Sequence, residues 1–556
     1  MDKKIKIKFN VLAIFIIMLF CFALTPKTLQ NDTYYTIAIG EHIMENGIDM
    51  VDPFSWHEDL PYTYPHWAYD VATYLVFQAG EAIGIGGFMA IYIATVLLSI
   101  SLGIVVYYAL RKICKNDLVS FFITLAIMYL LKNFIAARAQ LVTYILFALT
   151  ILFIENFIAT GKKRYAVGLI IIPIIIANVH AAVWPFYFVL YLPYIVEYIL
   201  AAFSESQIYY KLVIKFNKRK LKKMTLKNKP QEKIDAMTKK IDDWQAVMEK
   251  AEMKRIKRRE HPYKIILNKD NNIKYLIIIM IICIFTGFLT PIGTTPYTYL
   301  PKTMAGNTMN SISEHLPLTL INDLKTLTVI VLFLLILIFT DTKIKLRDLF
   351  MVGGLLLLAF MSRRQVSMFV LIGGIVFAKL IVALIDKYDT KGTEQTMKAM
   401  TSMAGRIITL LLGIIVSFML YRGKPNSPII DESSYPVKAC DYILENIDIS
   451  TMKIFNEYNY GSYILYRGIP VFIDSRADLY APEFNGTENQ EGRDIFTDYM
   501  NISNLSTYYE NQFEKYDITH VITGKRTKLN MFLSRDDHYK ELYADDNFVV
   551  YERDAN

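Results

Sequence analysis

Long unbroken apolar runs, rather than alternation, dominate the chain up to about residue 421. They fall at 9–25, 88–110, 117–131, 141–159, 165–180, 182–203, 275–290, 327–340, 348–361, 366–385 and 405–421. A bilayer-crossing helix needs roughly 17 apolar residues or more, so the pattern predicts about 11 membrane spans. Beyond Arg422 the pattern changes. Short β-rich runs at Lys453-Ile454-Phe455, Ser462-Tyr463-Ile464-Leu465, Pro470-Val471-Phe472-Ile473, His520-Val521-Ile522 and Phe548-Val549-Val550-Tyr551 alternate with helix-like stretches around 436–446 and 493–514. The predicted fold is a polytopic α-helical membrane domain over 1–421 followed by a soluble C-terminal α/β domain over 422–556, with the Pro-marked segment 422–428 as linker.

Composition agrees with a membrane class: 54% apolar residues and a mean hydropathy of +0.30 over 556 residues exceed what soluble globular chains usually carry. The four cysteines supply no disulfide framework. The first apolar run reads as a span rather than a cleaved signal, because no small-x-small site follows it and Pro26 and Lys27 stand where cleavage would fall.

Basic residues set the expected orientation. Lys3 to Lys8, Arg111-Lys112, Lys162-Lys163-Arg164, the 204–274 insertion, Lys343 to Arg347 and Lys387 to Arg406 mark alternate loops as cytoplasmic. The 26–87 loop and the 422–556 region then share the outer face of a plasma membrane. The insertion holds 21 Lys and Arg against 9 Asp and Glu, so the basic balance of the whole chain belongs to this one loop. Anionic membrane lipid is its expected partner rather than nucleic acid, each charge contributing about 1 kcal/mol near such a surface. Within it Ile234, Met237, Ile241, Trp244, Met248 and Ala251 recur at helical spacing, an amphipathic helix that either lies on the membrane or meets a partner.

Candidate chemistry gathers on the outer side. Asp32, His57, His66, Asp70, Arg138, Gln140, Asn178, His180, Glu314, His315, Arg363 and Arg364 all fall near outer span ends. Arg363 and Arg364 oppose the positive-inside bias and so call for a negative partner, for which a lipid phosphate or diphosphate is the obvious chemistry. Tyr62, Tyr64, Trp67 and Trp184 offer either flat faces for a sugar ring or interfacial anchors.

These residues, taken in order, resemble the GT-C superfamily of polytopic glycosyltransferases, in particular a bacterial branch with a soluble C-terminal α/β domain. The likeness rests on Asp32-Thr33-Tyr34-Tyr35, Gly40, Gly47, Asp52-Pro53-Phe54-Ser55, His66-Trp67, Ala137-Arg138-Ala139-Gln140, Asn178-Val179-His180, Pro291-Ile292-Gly293, Ile312-Ser313-Glu314 and Arg363-Arg364. It continues in the 455–461 and 473–478 segments. Departures include Trp67 where Glu often follows the His, which leaves a requirement for a divalent metal such as Mg or Mn open. The resemblance implies transfer of a sugar from a polyprenyl-phosphate-type donor to a lipid, glycan or protein acceptor of the cell envelope. Asp32 would be the general base, with His66, Asp70, Arg138, His180, Glu314, Arg363 and Arg364 binding substrate. The competing classes are a polysaccharide polymerase or ligase and a lipid-linked sugar flippase. A transporter should show internal repeats and mid-membrane ionisable groups, and the sequence shows polar clusters at span ends instead.

Overall fold

The computed structural model describes residues 3–306, 308, 312–389, 391–424, 428–486 and 491–554. Part of the expected 422–428 linker, residues 425–427, lies outside them. Every expected apolar run is helical. The first thirteen helices are α1 (Lys3–Leu24), α2 (Asn31–Asn46), α3 (Trp67–Ala82), α4 (Gly87–Cys114), α5 (Asp117–Leu130), α6 (Ala139–Thr160), α7 (Lys163–Val179), α8 (Trp184–Val189), α9 (Leu192–Ser206), α10 (Ile208–Leu226), α11 (Gln231–Glu260), α12 (Ile273–Ile284) and α13 (Thr295–Ala305). Further apolar helices span Leu324–Phe339, Leu346–Met361, Gly374–Tyr388 and Met403–Arg422.

By length and composition, six stretches among the described residues are long and apolar enough to cross a membrane: Ile5–Leu24, Gly87–Cys114, Ala139–Thr160, Ala181–Leu226, Arg363–Tyr388 and Met403–Arg422. Asp117–Leu130, Ile273–Phe288 and Leu324–Phe339 are apolar but shorter. Six long apolar helices mark a multi-pass membrane protein, and the expected eleven spans are not reached by this measure. The bundle core is built from the inward stripes of α1, α4, α5, α6 and the helices after residue 346, with Ile17, Cys21, Leu102, Met128, Tyr144 and Leu371 fully or almost fully buried. The Met403–Arg422 helix sits at the periphery, burying only Ser417.

Two short amphipathic helices cap one end of this bundle. Gly40 lets α2 close on α3, since a side-chain carbon there would come within 2.3 Å of the Asp70 carbonyl oxygen. The intervening 47–66 loop docks on the C-terminal region: Trp56 Nε1 donates to the Ile454 carbonyl at 2.9 Å, and Arg476 pairs with Asp52 at 2.7 Å. A second apolar core is therefore shared between Leu29–Ile91 and Tyr435–Tyr551.

The C-terminal region forms a small mixed sheet. With β1 (Ile265–Ile266) and β2 (Ile344–Lys345) pairing in the membrane-domain half, its strands are β3 (Ile454–Phe455), β4 (His520–Gly524), β5 (Tyr539–Ala544) and β6 (Phe548–Arg553). The order is β3-β4-β6-β5, with β3 parallel to β4 and the other pairs antiparallel. Two expected strands are corrected. Ser462–Leu465 lies inside the helix Tyr458–Tyr466, and Pro470–Ile473 makes only a single bridge, Val471 to Ser55. The helix-like stretch at 493–514 resolves into Ile495–Asn504 and Tyr509–Lys515.

Candidate functional site

A cavity of about 620 Å³ opens where α2, α3 and the starts of α6 and of the 363–365 turn face the C-terminal region. Asp32, His66, Arg138, His180, Glu314 and Arg364 line it, joined by Tyr35, Tyr62, Gln140, Tyr299 and His315. The C-terminal region contributes Tyr458, Asn459, Ser475, Arg476 and Asp478. Six of the eight sequence-derived site residues thus meet around one space.

Asp32 enters from the first turn of α2, where the helix dipole favours a carboxylate, while the N-cap position itself is Gln30. Arg138 is the N-cap residue of α6 and has extended backbone, which throws its side chain off the helix end toward α2. Its Nε lies 2.9 Å from Asp32 Oδ2, and its Nη1 donates to Glu314 Oε1 at 3.3 Å. The Nε contact is an ion pair without aligned hydrogen-bond geometry. Burial works against the Arg138 charge, but Asp32 and Glu314 outweigh it and raise the guanidinium pKa above its ordinary value. Burial likewise works to raise the Glu314 carboxyl, yet Arg138 and then Arg364 prevail and hold it below the usual carboxylate range.

Arg364 is the cation left over. Its backbone N–H donates to the Glu314 carbonyl at 2.9 Å, which fixes the turn against the Glu314 segment. Its guanidinium is half-buried at the cavity wall and forms no ion pair or side-chain hydrogen bond among the described residues. Arg363 faces elsewhere, into a crevice of about 260 Å³ that also touches Gln30, Asn133, Arg138, Glu314 and Arg364.

Asp70 does not line the cavity. It is fully buried under His66, whose Nδ1 sits 2.9 Å from Asp70 Oδ2, so its assignment as a substrate contact becomes that of a residue holding the imidazole. Burial raises the Asp70 carboxyl pKa, with His66 pulling the other way. His66 Nε2 lies 3.3 Å from the Tyr35 hydroxyl at the cavity wall. His180 is buried behind it, its Nδ1 3.1 Å from Thr143 Oγ1. His57 is buried away from the cavity, its Nε2 2.9 Å from the Phe472 carbonyl.

Of the aromatic residues suggested for a sugar face, only Tyr62 reaches the cavity, and it also stacks on the Arg476 guanidinium. Tyr64 and Trp184 are buried, and Trp67 donates to Asn178 Oδ1 at 3.2 Å outside it. The sequence reading gave no role to the C-terminal wall. Asp478 accepts from the Tyr299 hydroxyl at 2.6 Å and so pins α13 to that wall. The 455–461 and 473–478 motifs were the available signal, since Tyr458, Asn459, Ser475, Arg476 and Asp478 all lie within them.

The described residues around the cavity do not assemble a divalent-metal site. No three His, Cys, Asp or Glu side chains converge on one point among the described residues. Asp32 and Glu314, the natural oxygen ligands, both close on the Arg138 guanidinium, and His66 is committed to Asp70 and Tyr35.

Comparison with known proteins decides the architecture. No family model and no curated protein matches the chain. Among solved structures it matches the archaeal oligosaccharyltransferase AglB from Archaeoglobus fulgidus in complex with an inhibitory peptide and a dolichol-phosphate. The TM-score is 0.53 at 11% identity, over 97% of this chain and 74% of that one. The chain shares the fold of this membrane oligosaccharyltransferase structure. At this identity the likeness concerns the backbone, and it covers both the helical bundle and the C-terminal region.

Proposed function

We propose that this protein is a glycosyltransferase that moves a sugar from a polyprenyl-phosphate-type lipid donor to an envelope acceptor on the outer face of the membrane. The single observation that carries the proposal is the Arg364 guanidinium, without an ion-pair partner among the described residues, in a cavity that also holds the Asp32–Arg138–Glu314 ion-pair group. A lipid phosphate offers that arginine a planar, bidentate counter-charge. The GT-C-like fold supports the same class of chemistry, since the matched oligosaccharyltransferase structure contains a lipid phosphate and a peptide.

In the proposed reaction the acceptor hydroxyl attacks the anomeric carbon, and the bond from that carbon to the donor phosphate oxygen breaks. Asp32 takes the hydroxyl proton, help typically worth about 10²–10⁴-fold. The lipid phosphate leaves with the bonding electron pair, and Arg364 and Arg138 receive its charge. Donor phosphate competes with Glu314 and Asp32 for Arg138, so donor binding loosens the ion pair and frees the Asp32 carboxylate for the incoming hydroxyl. Asp70 fixes the imidazole of His66, which with Tyr35 orients a sugar hydroxyl. The C-terminal wall of Asn459, Ser475 and Asp478 faces the acceptor. The 204–274 loop, on this reading, is cytoplasmic.

The test is mass spectrometry of envelope glycans and lipid-linked sugars with and without the protein. Loss of one hexose supports the transferase. Accumulated full-length lipid-linked oligosaccharide would instead indicate a polymerase, ligase or flippase.

A further inference from the structure

The basic insertion folds as a helical hairpin, and its two helices use their apolar faces differently. The amphipathic stripe of α11 is spent internally: Ile241 is buried, and Trp244 meets the rings of Tyr209 and Tyr210 on α10. The second helix, α10, keeps an outward stripe. Leu212 and Phe216 are 60% and 68% exposed, one helical turn apart, with Tyr209 beside them at the end next to α9. Farther along the same face come Arg219, Lys220 and Lys223, all exposed. Around the flank Lys211, Lys215, Lys218 and Lys222 line a groove with Ile214 and Met248. The nineteen residues of α10 include seven Lys or Arg and no Asp or Glu.

The attachment of the hairpin fixes its height. Only Gln207, in a left-handed turn at φ 48°, separates α10 from α9, whose apolar residues end one turn earlier at Phe203, so α10 starts close to where the chain leaves the bilayer. Gln207 Nε2 donates to the Met248 carbonyl at 3.3 Å, and Glu205 accepts from Arg259 at 3.4 Å and from Lys269 at 2.8 Å. The α11 segment from Met248 to Arg259, roughly 16 Å at 1.5 Å per residue, therefore runs past the start of α10 while staying beside the end of α9. That segment carries Lys250, Lys254, Arg255, Lys257 and Arg258 and cannot follow α9 back into hydrocarbon. The hairpin must lean toward the membrane plane, which brings the stripe of α10 to the headgroup level.

We infer that α10 is an interfacial helix that seats Leu212 and Phe216 among the acyl chains while its lysines engage anionic phospholipid headgroups of the same bilayer. Apolar anchors flanked by cations, with no acidic residue to repel the surface, are the pattern that binds such interfaces, and binding scales with anionic lipid content.

The test uses the full chain in lipid nanodiscs, with its native cysteines replaced and a single Leu212→Cys carrying an environment-sensitive fluorophore. A Lys239→Cys label on the exposed face of α11 serves as control. In discs containing phosphatidylglycerol the label at 212 should emit to the blue and be quenched by bromolipid, while the label at 239 should do neither. In pure phosphatidylcholine discs the shift at 212 should be largely lost. Combined Glu substitutions at Lys211, Lys215, Lys218 and Lys222 should abolish it, and the lipid exchange tests the idea even if that variant fails to fold. Equal, water-like emission in both discs would overturn the inference. So would a blue shift produced in phosphatidylcholine discs by inorganic phosphate or by a single-stranded oligonucleotide but not by phosphatidylglycerol.

Discussion

Arg138 stands 2.9 Å from Asp32, and the same guanidinium reaches Glu314 at 3.3 Å, so two carboxylates share one fixed cation at the mouth of the cavity. In the proposed reaction this is the cation that the donor phosphate draws away from Asp32.

Replacing Asp32 by Asn should lower the maximal transfer rate by about 10²–10⁴-fold with the protein still folded and inserted. An N-cap role would predict a silent change, but the N-cap position of α2 is Gln30, and Asp32 lies inside the first turn. Wild-type rates in the Asn variant, measured per inserted molecule, would remove the catalytic role.

The three arginines should separate by position. Arg364→Lys keeps the charge and loses the fork, and Arg364→Ala should lower the maximal rate further, by roughly 10²-fold or more. Arg138 variants should lose rate and also disturb Asp32. Arg363, which faces the side crevice, should tolerate Lys with a change of less than about threefold if it only meets lipid headgroups. Transfer rate against donor concentration distinguishes lost transition-state stabilisation from lost binding.

Glu314→Gln should lower the donor KM, because a neutral amide competes less well with phosphate for Arg138. The pH dependence has a defined sign. The Glu314 carboxyl is held below its ordinary range, so its pairing contributes stability that is present above the unfolded pKa near 4.5 and is lost as pH falls through the lower folded value. The difference in thermal stability between wild type and Glu314→Gln should be flat from pH 8 to 5.5 and shrink below about pH 4.5. A difference that grew on acidification would contradict the pairing.

Much of this site was legible in the sequence because charge at the ends of apolar runs is costly and so stands out. Asp32, Arg138, Glu314 and Arg364 were visible in that way, and the fold brings them to one cavity. Burial was not visible. Asp70 and His66 are spaced i, i+4 on one helix face, and nothing local states that the Asp lies beneath the His. Tyr64 and Trp184 read as sugar-stacking faces or interfacial anchors and turn out to be core. In the C-terminal region, Ser462–Leu465 is a four-residue run with three apolar residues that periodicity cannot assign, and tertiary packing makes it helix. The strand Tyr539–Ala544 escaped notice because it is an edge strand with exposed Lys540 and Glu541. The α11 stripe was legible, but its partner, the neighbouring α10, was not.

The proposed orientation is checked by single cysteines in a background lacking the native ones. A membrane-impermeant thiol reagent on intact cells should label Asp546→Cys and spare Lys227→Cys. The reverse pattern would put the cavity on the wrong side for an extracytoplasmic donor.

The most direct measurement is made on the purified protein in liposomes supplied with a labelled polyprenyl-phosphate hexose and an extract of envelope acceptors. The account predicts release of polyprenyl phosphate in step with glycosylated acceptor, abolished by Asp32→Asn and by Arg364→Ala. Donor that crosses the bilayer with its sugar still attached, at the same rate in wild type and Asp32→Asn, would contradict it.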